Sequence, residues 1–101
     1  MDSRLELHAL LLDLLGSGNV YFQPPPSDKL KYPAIVYTRS DIDNAFADSV
    51  VYRQSLRYEI TVIDRNPDSD IVSRVSALPR CRFDRHFTSD NLNHDVFSLY
   101  F

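Results

Sequence analysis

The chain has 101 residues, 44% of them apolar, with six Tyr and six Phe. That is enough for one core and one domain, and a domain this small is only modestly stable alone. A formal net charge of −3 removes the electrostatic case for nucleic acid as the main partner, and the single cysteine, Cys81, excludes an intrachain disulfide and suits a reducing or redox-indifferent compartment.

Residues 1 to about 16 predict a helix. Leu7, Leu10, Leu11, Leu14 and Leu15 recur with the spacing of a buried face. Gly16 and Gly18, the only glycines, mark its C-terminal stop. The same run carries acidic residues and lacks the basic start of a signal peptide, and no apolar run approaches the roughly 20 residues that span a bilayer. Leu5, Ala9 and Leu12 form a second stripe, readable as a wider core face or as a contact with a neighbouring subunit. Val20–Phe22 reads as a short strand. "QPPPSDKLKYP" reads as an extended surface loop, because three consecutive prolines remove donors and fix φ.

"AIVYTR" (34–39) is a strand by β-branched and aromatic content. Residues 40–50 read as a polar connection built on Asp and Asn turn chemistry. From Tyr52 to Val62, apolar Leu56, Tyr58, Ile60 and Val62 alternate with Arg53, Arg57, Glu59 and Thr61, the pattern of a half-covered sheet. About 11 strand residues reach roughly 37 Å, more than a small sheet needs, so one end is expected to project as a hairpin. Residues 67–78 predict a second helix, with Ile71, Val72, Val75 and Leu78 inward and Pro79 as the stop. "RCRFDRHFT" alternates Cys81, Phe83, Arg85 and Phe87 against Arg82, Asp84, His86 and Thr88. "SDNLN" turns the chain into a last strand, "HDVFSLYF". The order predicts an α+β single domain over 1–101, a central antiparallel sheet with an N-terminal helix and a second helix packed on it.

Three constellations bear on chemistry. In "DRNPDSDIVSRV" (64–75), acidic or amide side chains fall at every second position, like the first half of a calcium loop. Such a loop needs Gly at position 6 and Glu at position 12, and Ser69 and Val75 stand there. The alternative is capping: Asn66 caps a helix that Pro67 opens, with Asp68 and Asp70 in its first turn. Cys81, His86 and His94 lack the paired spacing of a zinc site. Strict alternation would also put Cys81 and His86 on opposite faces of their strand, which argues against a thiol–imidazole pair. No metal, cofactor or catalytic residue is therefore expected. Arg53, Arg57, Glu59, Arg82 and Asp84 form a charged sheet face, either solvated or a subunit contact.

"YPAIVYTRSDIDNAFADS", "YEITVIDRNPDSDI" and "LPRCRFDRHFTSDNLNHDVFSLYF" together resemble the tail-terminator, or tail-to-head joining, proteins of long-tailed bacteriophages. The resemblance covers about 32–101, and its most specific pieces are "VIDRNPDSD" and "FDRHFTSDNLNHDVFSLYF". It implies a structural virion protein that is not an enzyme and needs no cofactor. It further implies a homohexameric ring on the head-proximal end of the tail tube, contacting the tail tube protein and the head–tail connector protein, and a location in the virion tail after assembly in the host cytoplasm. A ring needs two different patches to meet, and Leu5, Ala9 and Leu12 on the helix with Arg53, Arg57, Arg82 and Asp84 on the sheet are the candidates. A connector adaptor or stopper, or a small prophage enzyme or regulatory domain, would be the alternative.

Overall fold

A computed structural model describes residues 3–24, 29–47 and 50–101, with backbone alone for 41–47 and 50–55. The elements are α1 (Ser3–Leu15), β1 (Val20–Phe22), β2 (Ala34–Ala47), β3 (Val50–Asp64), α2 (Asp70–Ser76), β4 (Cys81–Ser89) and β5 (Leu92–Tyr100). One five-stranded sheet runs in the order β1-β2-β3-β5-β4. The α+β expectation holds. The sheet is mixed, because β1 lies parallel to β2 while every other neighbour is antiparallel. A parallel neighbour needs a long return path, and the proline-rich segment between Phe22 and Ala34 supplies it.

Both helices cover one face of the sheet. Leu7, Leu11 and Leu15 of α1 and Ile71 and Val75 of α2 meet Tyr37, Tyr58, Ile60, Val62, Phe97 and Leu99 in a single core. The alternation read along 56–62 is thus real: Tyr58, Ile60 and Val62 are fully buried, and Arg57, Glu59 and Thr61 lie on the opposite, partly open face. Gly16 ends α1 in the left-handed region (φ +79°), its amide donating to Leu12 O at 2.9 Å. Arg74 Nη1 of α2 donates to Leu14 O at 3.2 Å and so ties the end of α1 to its neighbour. Asp90 and Asn91, both at positive φ, form the two-residue turn between β4 and β5 that "SDNLN" predicts.

Two expectations are corrected. Residues 40–47 are strand, not a polar connection: β2 continues through them, paired with β3 as far as Ala47 opposite Val50. Turn-prone Asp41, Asp43 and Asn44 join a strand because cross-strand pairing overrides weak local preference, with register shifts at Arg39/Asp41 and Ala45/Phe46. The second helix is shorter than 67–78, and its cap is Ser69 rather than Asn66. The buried Ser69 Oγ accepts from Ile71 N at 3.3 Å, while Asn66 Oδ1 accepts from Asp68 N at 3.0 Å in a separate turn upstream.

The projecting hairpin is present. β3 pairs with β5 only from Arg57 to Asp64, and β1 pairs with β2 only from Ile35 to Tyr37. Past Arg39 on β2, and past Leu56 on β3, whose carbonyl still accepts from Phe101 N, the two strands pair only with each other among the described residues, as a two-stranded ribbon. This gives the molecule its length, 51 Å against 24 and 23 Å across.

Candidate functional site

The "DRNPDSD" segment is a chain of local side-chain turns. Asp64 Oδ1 accepts from Asn66 N at 3.1 Å, Asn66 from Asp68 N, and Ser69 from Ile71 N. Each such bond satisfies one amide that would otherwise be unpaired where the strand becomes helix. Asn93 Nδ2 of β5 donates to Asp64 O and Arg65 O at 3.3 Å, fastening this corner to the last hairpin. The corner is architectural: one side-chain oxygen each of Asp64, Asn66 and Ser69 serves a backbone amide.

The strand β4 departs from simple alternation. Its register against β5 shifts between Phe83 and Arg85, so Asp84 is an extra residue. Before the shift, Cys81 and Phe83 lie on the helix-covered face, opposite Leu99 and Phe97. After it, His86 takes that face opposite Asp95, and Arg85 and Phe87 turn to the other. The expectation that Cys81 and His86 face opposite sides is therefore overturned. They still do not form a catalytic pair: their partners Leu99 and Asp95 are four residues apart on β5, about 14 Å along a strand. Cys81 packs against the core, where burial pushes its thiol above the ordinary value despite a backbone hydrogen bond from Arg82. His86 Nδ1 lies 2.8 Å from Asp95 Oδ1. His94 is on the far face, its ring stacked on Phe87 at 4.6 Å. Among the described residues no three His, Cys, Asp or Glu side chains converge as metal ligands do.

The charged face is assembled largely as the sequence indicates. Arg57, Glu59, Arg82 and Asp84 line one open cavity of about 460 Å³ with Arg80 and Ser98. Arg57 works inside its own chain: its Nε donates to Ser40 Oγ at 3.2 Å, and Ser40 Oγ donates to Arg57 O at 3.1 Å. This bracket sits at the root of the ribbon, where β3 leaves β5. Arg85, which the sequence assigned to the aromatic face, belongs to the charged one, 3.5 Å from Glu59 and 3.1 Å from Asp84. Arg80 holds a left-handed backbone (φ +60°), kept there by its Nε on Tyr100 O and by Tyr100 N on its own carbonyl. The side chain of Arg53 lies outside the described residues.

The helix stripe divides. Leu5 (56% accessible) and Ala9 are exposed, whereas Leu12 is half-buried against the core. Sequence reasoning missed a larger feature, the sheet edges. β4 is an outer strand with every residue after Cys81 exposed, Phe83 (52%) and Phe87 (41%) among them. At the opposite side, Gln23 closes the β1 end of the sheet. Its amide donates to Tyr37 O and its Oε1 accepts from Arg39 N at 3.3 Å. Past Arg39 the outer edge of β2 has no strand beside it among the described residues. The signal available in the sequence was the length of the 34–64 hairpin relative to its neighbours.

No family model, curated protein or solved structure matches the chain. No helix among the described residues is long and apolar enough to cross a membrane.

Proposed function

We propose that this chain is a structural protein of a long-tailed phage or prophage, which caps the head-proximal end of the tail tube as a ring, stops tube polymerisation and joins the tail to the head connector. The observation that carries the reading is the sequence resemblance over about 32–101, strongest in "VIDRNPDSD" and "FDRHFTSDNLNHDVFSLYF". These two pieces meet in space through the bonds from Asn93 to Asp64 O and Arg65 O, so they specify one corner of one fold. A small domain with open strands at both sides of its sheet among the described residues suits assembly better than turnover.

Deleting the gene from its phage and measuring tails by electron microscopy tests the reading. Tubes of excess and irregular length, unattached to heads, are expected. Tails of normal length would refute termination. If the chain purified with portal-bound heads rather than with tails, a connector adaptor or stopper would take its place.

A further inference from the structure

We infer that the outer edge of β2 in the ribbon of one copy adds to the outer edge of β4 in the next copy, extending the sheet from subunit to subunit. This deepens the ring reading above and rests on it for the closure and number of copies, though not for the contact itself.

The first argument is the ribbon's isolation. A lone two-stranded hairpin is marginal in water, and a third strand is the usual remedy. Here β2 and β3 run on as a pair beyond β1 and β5, with no further strand on either outer edge among the described residues. The second argument is matched geometry. Register shifts bracket an uninterrupted run of β2 from Asp41 to Ala45, opposite Arg57 to Arg53. In β4 the shift at Phe83/Arg85 leaves an uninterrupted run from Arg85 to Ser89, opposite Val96 to Leu92. Asp84 and its bulge blunt the first half of the β4 edge against pairing and leave this second run straight. The two stretches have equal length, so each can serve as the other's missing neighbour through main-chain hydrogen bonds.

Charge supplies the third argument. The β2 run carries Asp41 and Asp43 and no basic residue, whereas the β4 run carries no acidic one and carries Arg85, which is 56% accessible and keeps further N–H donors beside its pairs with Glu59 and Asp84. Asp41 and Asp43 occupy ladder positions on the face shared with Arg57, and Arg85 and Phe87 occupy that same face of β4. Joined as one sheet, acid and base fall on one side. β4 ends the strand order on one side, and on the other β2 is outermost past the short β1, so binding at one edge leaves the other free. Such a heterologous contact propagates until rotation closes it into a ring.

Sedimentation velocity of the purified chain over a wide concentration range, with a charge swap, tests the contact. The wild type should associate as concentration rises. With the two five-residue runs fully overlapped in either direction, Asp43 falls opposite Phe87 and diagonal to Arg85, so Arg85→Glu and Asp43→Arg should each weaken association by about tenfold or more, since like charges then become neighbours. The double variant should return to within about threefold of wild type. Arg85 is 56% accessible, so loss of its exposed pairs with Glu59 and Asp84 should shift the unfolding curve only slightly. Should either reversal unfold the chain, Arg85→Gln and Asp43→Asn should still weaken association. A wild type that stays monomeric throughout, single variants that associate normally, or a double variant no better than the singles would each overturn the contact. Tail length in the deletion phage is a separate readout, so loss of this contact and loss of the terminator reading can be told apart.

Discussion

The hairpin of β2 and β3 passes through two different environments. In the body, from Ala34 to Arg39 and from Arg57 to Asp64, its strands have sheet neighbours on their outer edges over much of that length, and two helices cover one face. In the ribbon, the same two strands continue with no third strand and no helix among the described residues. The strands pair with each other in both parts, with register shifts at Arg39/Asp41 and Ala45/Phe46; what differs is the set of elements around them. The contrast separates two jobs. The body holds the fold through burial, and the ribbon carries a backbone edge with no strand beside it among the described residues.

The contrast predicts where substitutions hurt. Ile60 is fully buried at the centre of the body, so Ile60→Ala should cost about 2–5 kcal/mol in chemical denaturation, the range for a cavity in a packed core. Replacing residues 45–53 by an Asn-Gly turn keeps Asn44 opposite Gln54 and removes much of the ribbon, yet should shift the unfolding midpoint far less than that one core change. If shortening the ribbon destabilised the chain more than Ile60→Ala, the ribbon would be part of the core and the division would fail.

At the body's far corner, Ser69→Ala should cost about 1 kcal/mol, as expected when a helix loses its cap. Asn66→Ala should cost less, because Asn66 serves only the amide of Asp68. The reverse ranking in denaturant midpoints would return the cap to Asn66.

Tyr58 sharpens the comparison from inside the core. Its hydroxyl is buried with no hydrogen-bond partner among the described residues. A buried unpaired donor is unfavourable, so Tyr58→Phe should be neutral or stabilising by up to about 1 kcal/mol. A clear loss of stability would reveal a partner for that hydroxyl.

The smallest effect concerns Cys81, whose thiol burial shifts upward. The folded state therefore holds this proton more tightly than the unfolded one. Its contribution to stability is full below the unfolded thiol pKa and is lost as pH rises through the folded value. Alkylation by iodoacetamide should be slow at neutral pH and should accelerate on unfolding. Rapid reaction of the native chain would mean the thiol is exposed and ionised.

Much of the body was legible in the sequence. Leucines spaced along α1, alternation from Leu56 to Val62 and glycine at the helix stop each express a period or a backbone need that local residues set. Elsewhere the deciding partner was distant. Asp41, Asp43 and Asn44 look like a turn until β3 pairs with them. Asp84 looks like one more step of alternation until the register on β5 shows it as an extra residue, which moves Arg85 and His86 to new faces. Ser69 was passed over because Asn66-Pro67 is the stronger local start signal, and only packing of Ile71 and Val75 fixes where α2 begins. The charged face survived these errors for Arg57, Glu59 and Arg82, which lie outside the shifted segment. The open edges left no mark in composition, since an edge is defined by the strand that is missing.

Amide hydrogen exchange on the free and the assembled chain tests the central contrast most directly. In the free chain, amides from Tyr58 to Ile63 should exchange with protection near that of global unfolding, and those from Asp41 to Gln54 at least about 100-fold faster, because the ribbon has no third strand or helix beside it among the described residues. On assembly, the slow body should stay slow and the β2 half of the ribbon should become slow with it. A ribbon as protected as the body in the free chain, or one that stays fast after assembly, would contradict the account.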